Sequence, residues 1–198
     1  LTQDAAQRPQ LSLRPFEIRD EAAARAAHAS MRHEGFQFLL DHNGVESWHS
    51  YLARLDGLRT GGAHTGAQTK ASTSAYTATG SRPRDGLVES TLLAAVVGDQ
   101  LVGRASIRHR LNEWLARWGG HIGYVVVPEH RRRGYATEIL RQSLIVAHSL
   151  GIDDVLVTCD VSNIGSAKVI EACGGELESV IDGPEGAERK RRYWIRRS

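Results

Sequence analysis

The stretch from Gly120 to Asp160 constrains the fold more than any other part of the chain. It opens with "GHIGYVVVP", an apolar β-branched run that a proline closes, passes through "EHRRR" and turns at the lone Gly134. "GYATEILRQSLIVAHSLG" then carries apolar residues at helical spacing and stops at Gly151, a residue suited to the left-handed cap of a helix. "DDVLVTCD" follows as a short buried strand. Strand, basic glycine turn, helix and strand in this order predict a sheet with a helix packed on its face. They also put three arginines at the mouth of that helix. A helix N-terminus offers unpaired N–H groups and the positive end of the dipole, and a glycine there admits an anion close to the backbone. "RRRGYA" therefore reads as a phosphate cradle whose guanidinium groups can pair with phosphate in a bidentate fashion. The plain alternative is a solvated turn in which Gly134 serves only the bend. Neither GxGxxG nor the Walker pattern is present, which disfavours a classical dinucleotide fold and a nucleotide triphosphatase.

The rest of the chain supplies the elements around this unit. "LSLRPFEI" alternates from Leu11 to Phe16 and predicts a first strand. Alanine-rich "RDEAAARAAHASM" predicts a helix from Glu21 to Met31 with Asp20 as its cap. A second helix is expected in "GVESWHSYLARLDGL", with Val45, Trp48, Leu52 and Leu55 along one face. "STLLAAVVGDQLVGRASIRH" is a hairpin turning at Gly98 and Asp99. "NIGSAKVIEACGG" is helical, and "ELESVID" with "RKRRYWIRR" forms a final pair of strands across "GPEG". Residues 60–86 hold little to bury and read as a flexible insert, while residues 1–10 read as a disordered tail. One domain spanning residues 1–198 is the expectation.

Composition excludes several classes. With 41% apolar and 24% charged residues the chain can bury a core. No stretch reaches transmembrane length and the polar opening lacks the apolar core of a secretion signal, so no membrane partner is expected. The two cysteines, Cys159 and Cys173, form no CxxC spacing, which predicts no metal site and a reducing, cytoplasmic setting. A net charge of +2 is too small to imply nucleic acid by itself. "RKRRYWIRR" mixes aromatic and basic residues as a nucleic-acid surface would, yet its alternation fits a terminal strand with Tyr193 and Ile195 on one face.

At "RRRGYA" the sequence resembles the GNAT superfamily of acetyl-coenzyme A dependent N-acetyltransferases. The family pattern is Arg or Gln, two residues, Gly, one residue, Gly or Ala, and Arg131, Gly134 and Ala136 meet it. "HIGYVVVPEH" and "NIGSAKVIEACGGEL" resemble the family's fourth strand and its Asn-containing helix, in a branch related to the ribosomal-protein alanine acetyltransferases. The resemblance implies a mixed, mostly antiparallel α/β sheet with a splayed fourth strand and helices on both faces. It implies acetyl-CoA as cosubstrate, no metal, and an amine-bearing small molecule or peptide N-terminus as acceptor; a homodimer is compatible with it. The backbones of Val125, Val126 and Val127 would take the pantetheine arm as an added strand. The amides from Arg132 through Arg133, Gly134, Tyr135 and Ala136 to Thr137 would hold the pyrophosphate, with Arg131, Arg132 or Arg133 near the phosphates. Asn163 and Ser166 would lie beside the pantetheine and acyl group; Asn163 is equally placed to be a helix N-cap.

Many relatives carry a Tyr in this helix to protonate the departing thiolate, and here Ile170 stands in its place. His121, where relatives often have Glu, is the candidate base, an ordinary strand-end histidine being the alternative. Glu34 is the reserve, expected with Phe36 on the acceptor side. Cys159 reads as a buried thiol. A module that binds acyl-CoA without turning it over remains the rival function.

Overall fold

The computed structural model describes residues 10–42, 44–61 and 88–197. In chain order they form β1 (Leu11–Pro15), α1 (Glu21–Arg32), α2 (Trp48–Thr60), β2 (Ser90–Val97), β3 (Gln100–Arg108), β4 (Ile122–Val126), α3 (Tyr135–Ser149), β5 (Asp154–Asp160), α4 (Ile164–Ala172), β6 (Glu176–Ile181) and β7 (Lys190–Arg196). The strands make two antiparallel sheets of order β1-β2-β3-β4 and β5-β7-β6. All but the first two residues of the expected insert lie outside the described residues, as does the tail before Gln10.

Alternation along β2 divides the core. Leu92, Ala94 and Val96 face one cluster with Ala24, Ala27 and Met31 of α1 and Trp48 and Tyr51 of α2. Leu93 and Ala95 face the opposite side, where Ile139, Leu140 and Leu144 of α3 pack. Helices therefore cover both faces, as the sequence predicts.

Two local readings change. Val45 is 89% exposed and precedes α2, because Ser47 caps that helix by accepting from the Ser50 amide, so the buried face starts at Trp48 and includes Tyr51 and Leu58. Asp20 does not cap α1 with its side chain. Its carboxylate takes a two-pronged bond from Arg14 (2.7 and 2.8 Å) and one from the Glu17 amide.

β4 and β5 lie side by side without a continuous ladder, and they are pinned at one point. The His121 amide donates to the Leu156 carbonyl (2.7 Å), and the Leu156 amide donates to Nδ1 of the His121 ring (2.9 Å). A side-chain nitrogen thus stands where a carbonyl would continue the pairing. Gly120 makes the approach possible: its φ is +66°, and a Cβ there would lie 2.5 Å from the Leu156 oxygen. Two residues on, Thr158 turns its hydroxyl to the Trp118 carbonyl (2.7 Å) instead of to β4, and the sheet opens.

Candidate active site

The opening between β4 and β5 exposes one backbone edge. The Arg108 amide bonds the His121 carbonyl and the Val127 amide bonds the Val102 carbonyl, so 121, 123, 125 and 127 direct their backbone groups to β3. Ile122, Tyr124 and Val126 direct theirs toward the gap. The free edge is accordingly Tyr124 and the N–H of Val126, rather than the whole triplet Val125, Val126 and Val127. Val127 is used completely, since its carbonyl also accepts from the His130 amide (2.9 Å), and the Val126 carbonyl accepts from Arg131 Nε (3.2 Å).

This edge runs toward the start of α3. Gly134 is the N-cap at φ +81°, no side chain caps the helix, and a Cβ at Gly134 would meet nothing within 4 Å. Tyr135, Ala136 and Thr137 occupy the first turn, whose amides have no partner within a helix. Arg132 is also left-handed, at φ 63°. The three arginines differ in use. Arg131 pairs with the Glu34 carboxylate through both terminal nitrogens (3.1 and 2.6 Å), tying the loop after α1 to the end of β4. Arg133 donates to the Glu129 carbonyl (3.1 Å), and Arg132 is exposed.

A cavity of about 390 Å³ extends from the gap across the face of β3 and β4 that α1 and α2 cover. Asn163, Ser166, Cys159 and Tyr124 line its β5 end, and Phe36 its α1 end. The Asn163 side-chain oxygen caps α4 by accepting from the Ser166 amide (2.9 Å), which leaves its NH2 group uncommitted in that bond. Ser166 Oγ and the Tyr124 hydroxyl are 2.8 Å apart. Burial raises the Tyr124 pKa, so the phenol keeps its proton. Sequence reasoning missed Tyr124; "GHIGY" contains it, but only the fold brings it to a serine 42 positions away. Ile170 of α4 is fully buried in the core. Burial also lifts the Cys159 thiol to about 11, consistent with a buried, unreactive thiol.

The environment of His121 does not suit a base. It is absent from the cavity wall. Its Nδ1 lone pair is taken by the Leu156 amide, which puts the ring proton on Nε2. Burial, helped by the Arg108 charge, lowers its pKa to about 4. Folding therefore excludes a proton that the unfolded chain takes up below its ordinary pKa near 6.5. Above that pH this group leaves stability unchanged; as pH falls from about 6.5 toward 4 it removes stability progressively. His121→Asn keeps an acceptor without a titrating ring, and denaturant unfolding between pH 4 and 7 should show a flatter loss for that variant.

The basic terminal strand meets acids. Arg192 pairs with Glu178 (2.6 Å), Arg196 with Glu176 (2.7 Å) and Lys190 with Asp160 (2.5 Å). Among the described residues no group of His, Cys, Asp and Glu is arranged to hold a metal, and no helix is long and apolar enough to cross a membrane.

Comparison with known families gives one match. The model of the acetyltransferase (GNAT) domain matches residues 10–176. The chain belongs to the GNAT family. No curated protein matches the sequence. Solved structures share the GNAT fold at low identity. RimJ of Mycobacterium smegmatis, in complex with CoA-disulfide, is 19% identical over 94% of this chain and 81% of its own, with a TM-score of 0.62. The putative acetyltransferase YncA of Salmonella typhimurium, with acetyl-CoA, is 12% identical over 95% and 94%, with a TM-score of 0.59. Spermidine N-acetyltransferase of Vibrio cholerae, with CoA and spermine, is 16% identical over 95% and 96%, with a TM-score of 0.57.

Proposed function

We propose that this chain transfers the acetyl group of acetyl-CoA to an amine on a small molecule or a peptide N-terminus. The observation that carries the reading is the free backbone edge at Tyr124 and Val126, leading from the cavity to the uncapped start of α3. An amide-bearing pantetheine arm pairs with such an edge as an added strand. The amides at the α3 terminus suit its pyrophosphate, with Arg132 and Arg133 adding charge. Arg131 is a positioning residue: it holds the Val126 carbonyl and Glu34.

Ser166 is the group we assign to the departing sulfur. Attack of the amine nitrogen forms the new C–N bond and breaks the C–S bond, and the sulfur takes a proton from the Ser166 hydroxyl. The Tyr124 hydroxyl lies 2.8 Å from Ser166 Oγ; in this scheme it donates to that oxygen, orients the serine hydroxyl outward and restores its proton, while solvent takes the amine proton and returns one to the Tyr124 oxygen, which closes the balance. Because burial raises its pKa, Tyr124 is loaded with its proton across the neutral range. His121 we read as a positioning residue that sets where β4 and β5 part.

Release of free CoA thiol from acetyl-CoA with a panel of amines tests the function. Ser166→Ala should lower kcat about 10- to 100-fold with CoA affinity within about twofold, and Tyr124→Phe should lower it less. His121→Asn should retain turnover within a few-fold; a loss of about 10² would restore the histidine as base. CoA binding without turnover on any amine would favour the non-catalytic module.

A further inference from the structure

Away from its Tyr124–Ser166 end, the cavity is walled by apolar side chains from separate parts of the chain. Phe36 follows α1, Leu55 and Leu58 come from α2, Leu92 from β2, and Leu115 and Trp118 from the connection between β3 and β4. Two local devices put them there. α1 ends at Gly35, whose φ of +70° lets the Phe36 amide turn back to the Met31 carbonyl (3.1 Å) and sets Phe36 on the wall. The β3–β4 connection makes a π-helical turn, Leu115–Gly119, a rare geometry common at functional sites.

The ions on this wall are committed to the protein itself. Arg104 donates to the carbonyls of Phe38 and Gln37, Arg108 Nη1 contacts those of Gly119 (3.4 Å) and Gly120 (3.2 Å), and Lys190 pairs with Asp160. Asp41, the other ion among the described lining residues, also has a partner in the protein. Two hydroxyls on the wall turn inward as well: Ser106 donates to the Gly123 carbonyl (3.3 Å) and Thr158 to that of Trp118 (2.7 Å). Aromatic faces are used in the same way, with the Arg104 guanidinium 5.3 Å from the Phe36 ring centre and that of Arg117 4.9 Å from the Trp118 ring centre. A second positive charge on the acceptor would leave water for rings that already carry a cation and for carboxylates that already have partners. An apolar body gains about fourfold in affinity for each methylene it buries.

Resting on the acetyl-transfer reading, we infer that the acceptor carries its amine on a compact apolar body with no second charge. The amine meets the thioester at the Tyr124–Ser166 end, and the body packs on Phe36, Leu55, Leu58 and Trp118. At about 390 Å³ the cavity is at the small end of the range of ligand sites, roughly 300–1,000 Å³, which suits a short alkyl chain or a single ring. That chemistry is offered by an apolar monoamine or by a peptide N-terminus whose first side chain is apolar.

The test compares hexylamine with 1,5-diaminopentane at saturating acetyl-CoA, two acceptors of equal length that differ by a terminal methyl against a terminal ammonium. Hexylamine should show at least about a tenfold higher kcat/KM, and the series from propylamine to hexylamine should rise by about fourfold per methylene. Leucyl-alanine amide should likewise exceed seryl-alanine amide, and whichever of hexylamine and the leucyl peptide has the higher kcat/KM identifies the source. Leu55→Glu, which adds a carboxylate to the wall, should shift the ratio at least about tenfold toward diaminopentane with CoA affinity within about twofold, whereas Leu55→Met should keep the parent's order. Equal or better use of diaminopentane by the unmodified protein, or a flat response along the alkylamine series, overturns the inference without any variant. Calorimetry on the CoA complex separates the two readings. Binding that favours hexylamine over diaminopentane without turnover would sink acetyl transfer and keep the apolar site, whereas turnover without that preference would do the reverse.

Discussion

Gly134→Glu is expected to raise the CoA dissociation constant at least about 100-fold, or roughly 2.7 kcal/mol. The loss has two separable sources. At φ +81° any side chain is strained, and an alanine there should cost about 1 kcal/mol of stability. The space around a Gly134 Cβ is open, so a glutamate meets no protein atom within 4 Å at that carbon. What it adds is a carboxylate beside the pyrophosphate, over amides that otherwise serve the anion. Calorimetric titration with CoA, alongside thermal unfolding of Gly134→Ala and Gly134→Glu, divides strain from repulsion. Unchanged affinity in a folded Gly134→Glu protein would remove the phosphate from this helix.

Arg104→Ala should give the largest stability loss, about 3–5 kcal/mol in denaturant unfolding. Arg104 is 2% exposed, and its Nε donates to the Phe38 carbonyl and Nη2 to that of Gln37 (3.0 Å). Its guanidinium also lies 5.3 Å from the Phe36 ring centre and 6.0 Å from that of Phe38. Truncation leaves two carbonyls without these donors and a void under the segment after α1. Arg104→Lys, which keeps a charge but not the planar fork, should recover only part of the loss. A variant within about 1 kcal/mol of the parent would show that this segment is held by its apolar contacts alone.

Local signals carried most of the architecture. Gly151 stops α3, Gly98 turns the hairpin, and period-two alternation in β2 sorts residues to two faces, because each depends on a few neighbours in sequence. The glycine-led, uncapped start of α3 was legible for the same reason. Contacts between distant segments were not. Nothing in "GHIGY" tells that His121 Nδ1 meets an amide of β5, or that Tyr124 meets Ser166, since both depend on where two strands separate. Arg131 shows the limit of reading charge alone: its place in "RRRGYA" suggests phosphate, but the fold brings Glu34 to it from 97 residues away. Arg104 and Arg108 looked like ordinary strand residues, and the π-helical turn around "WLARWG" has no compositional mark.

The pin at His121 also bears on how this protein keeps company. An unpaired strand edge facing solvent is a template for any passing chain and a route to aggregation. Here the unpaired amides of β4 open inward, flanked by β5 and α4, so only something slender and extended can reach them. Incomplete pairing, a hazard at the rim of a sheet, becomes a sheltered edge where the His121 ring takes the Leu156 amide and β4 and β5 then part.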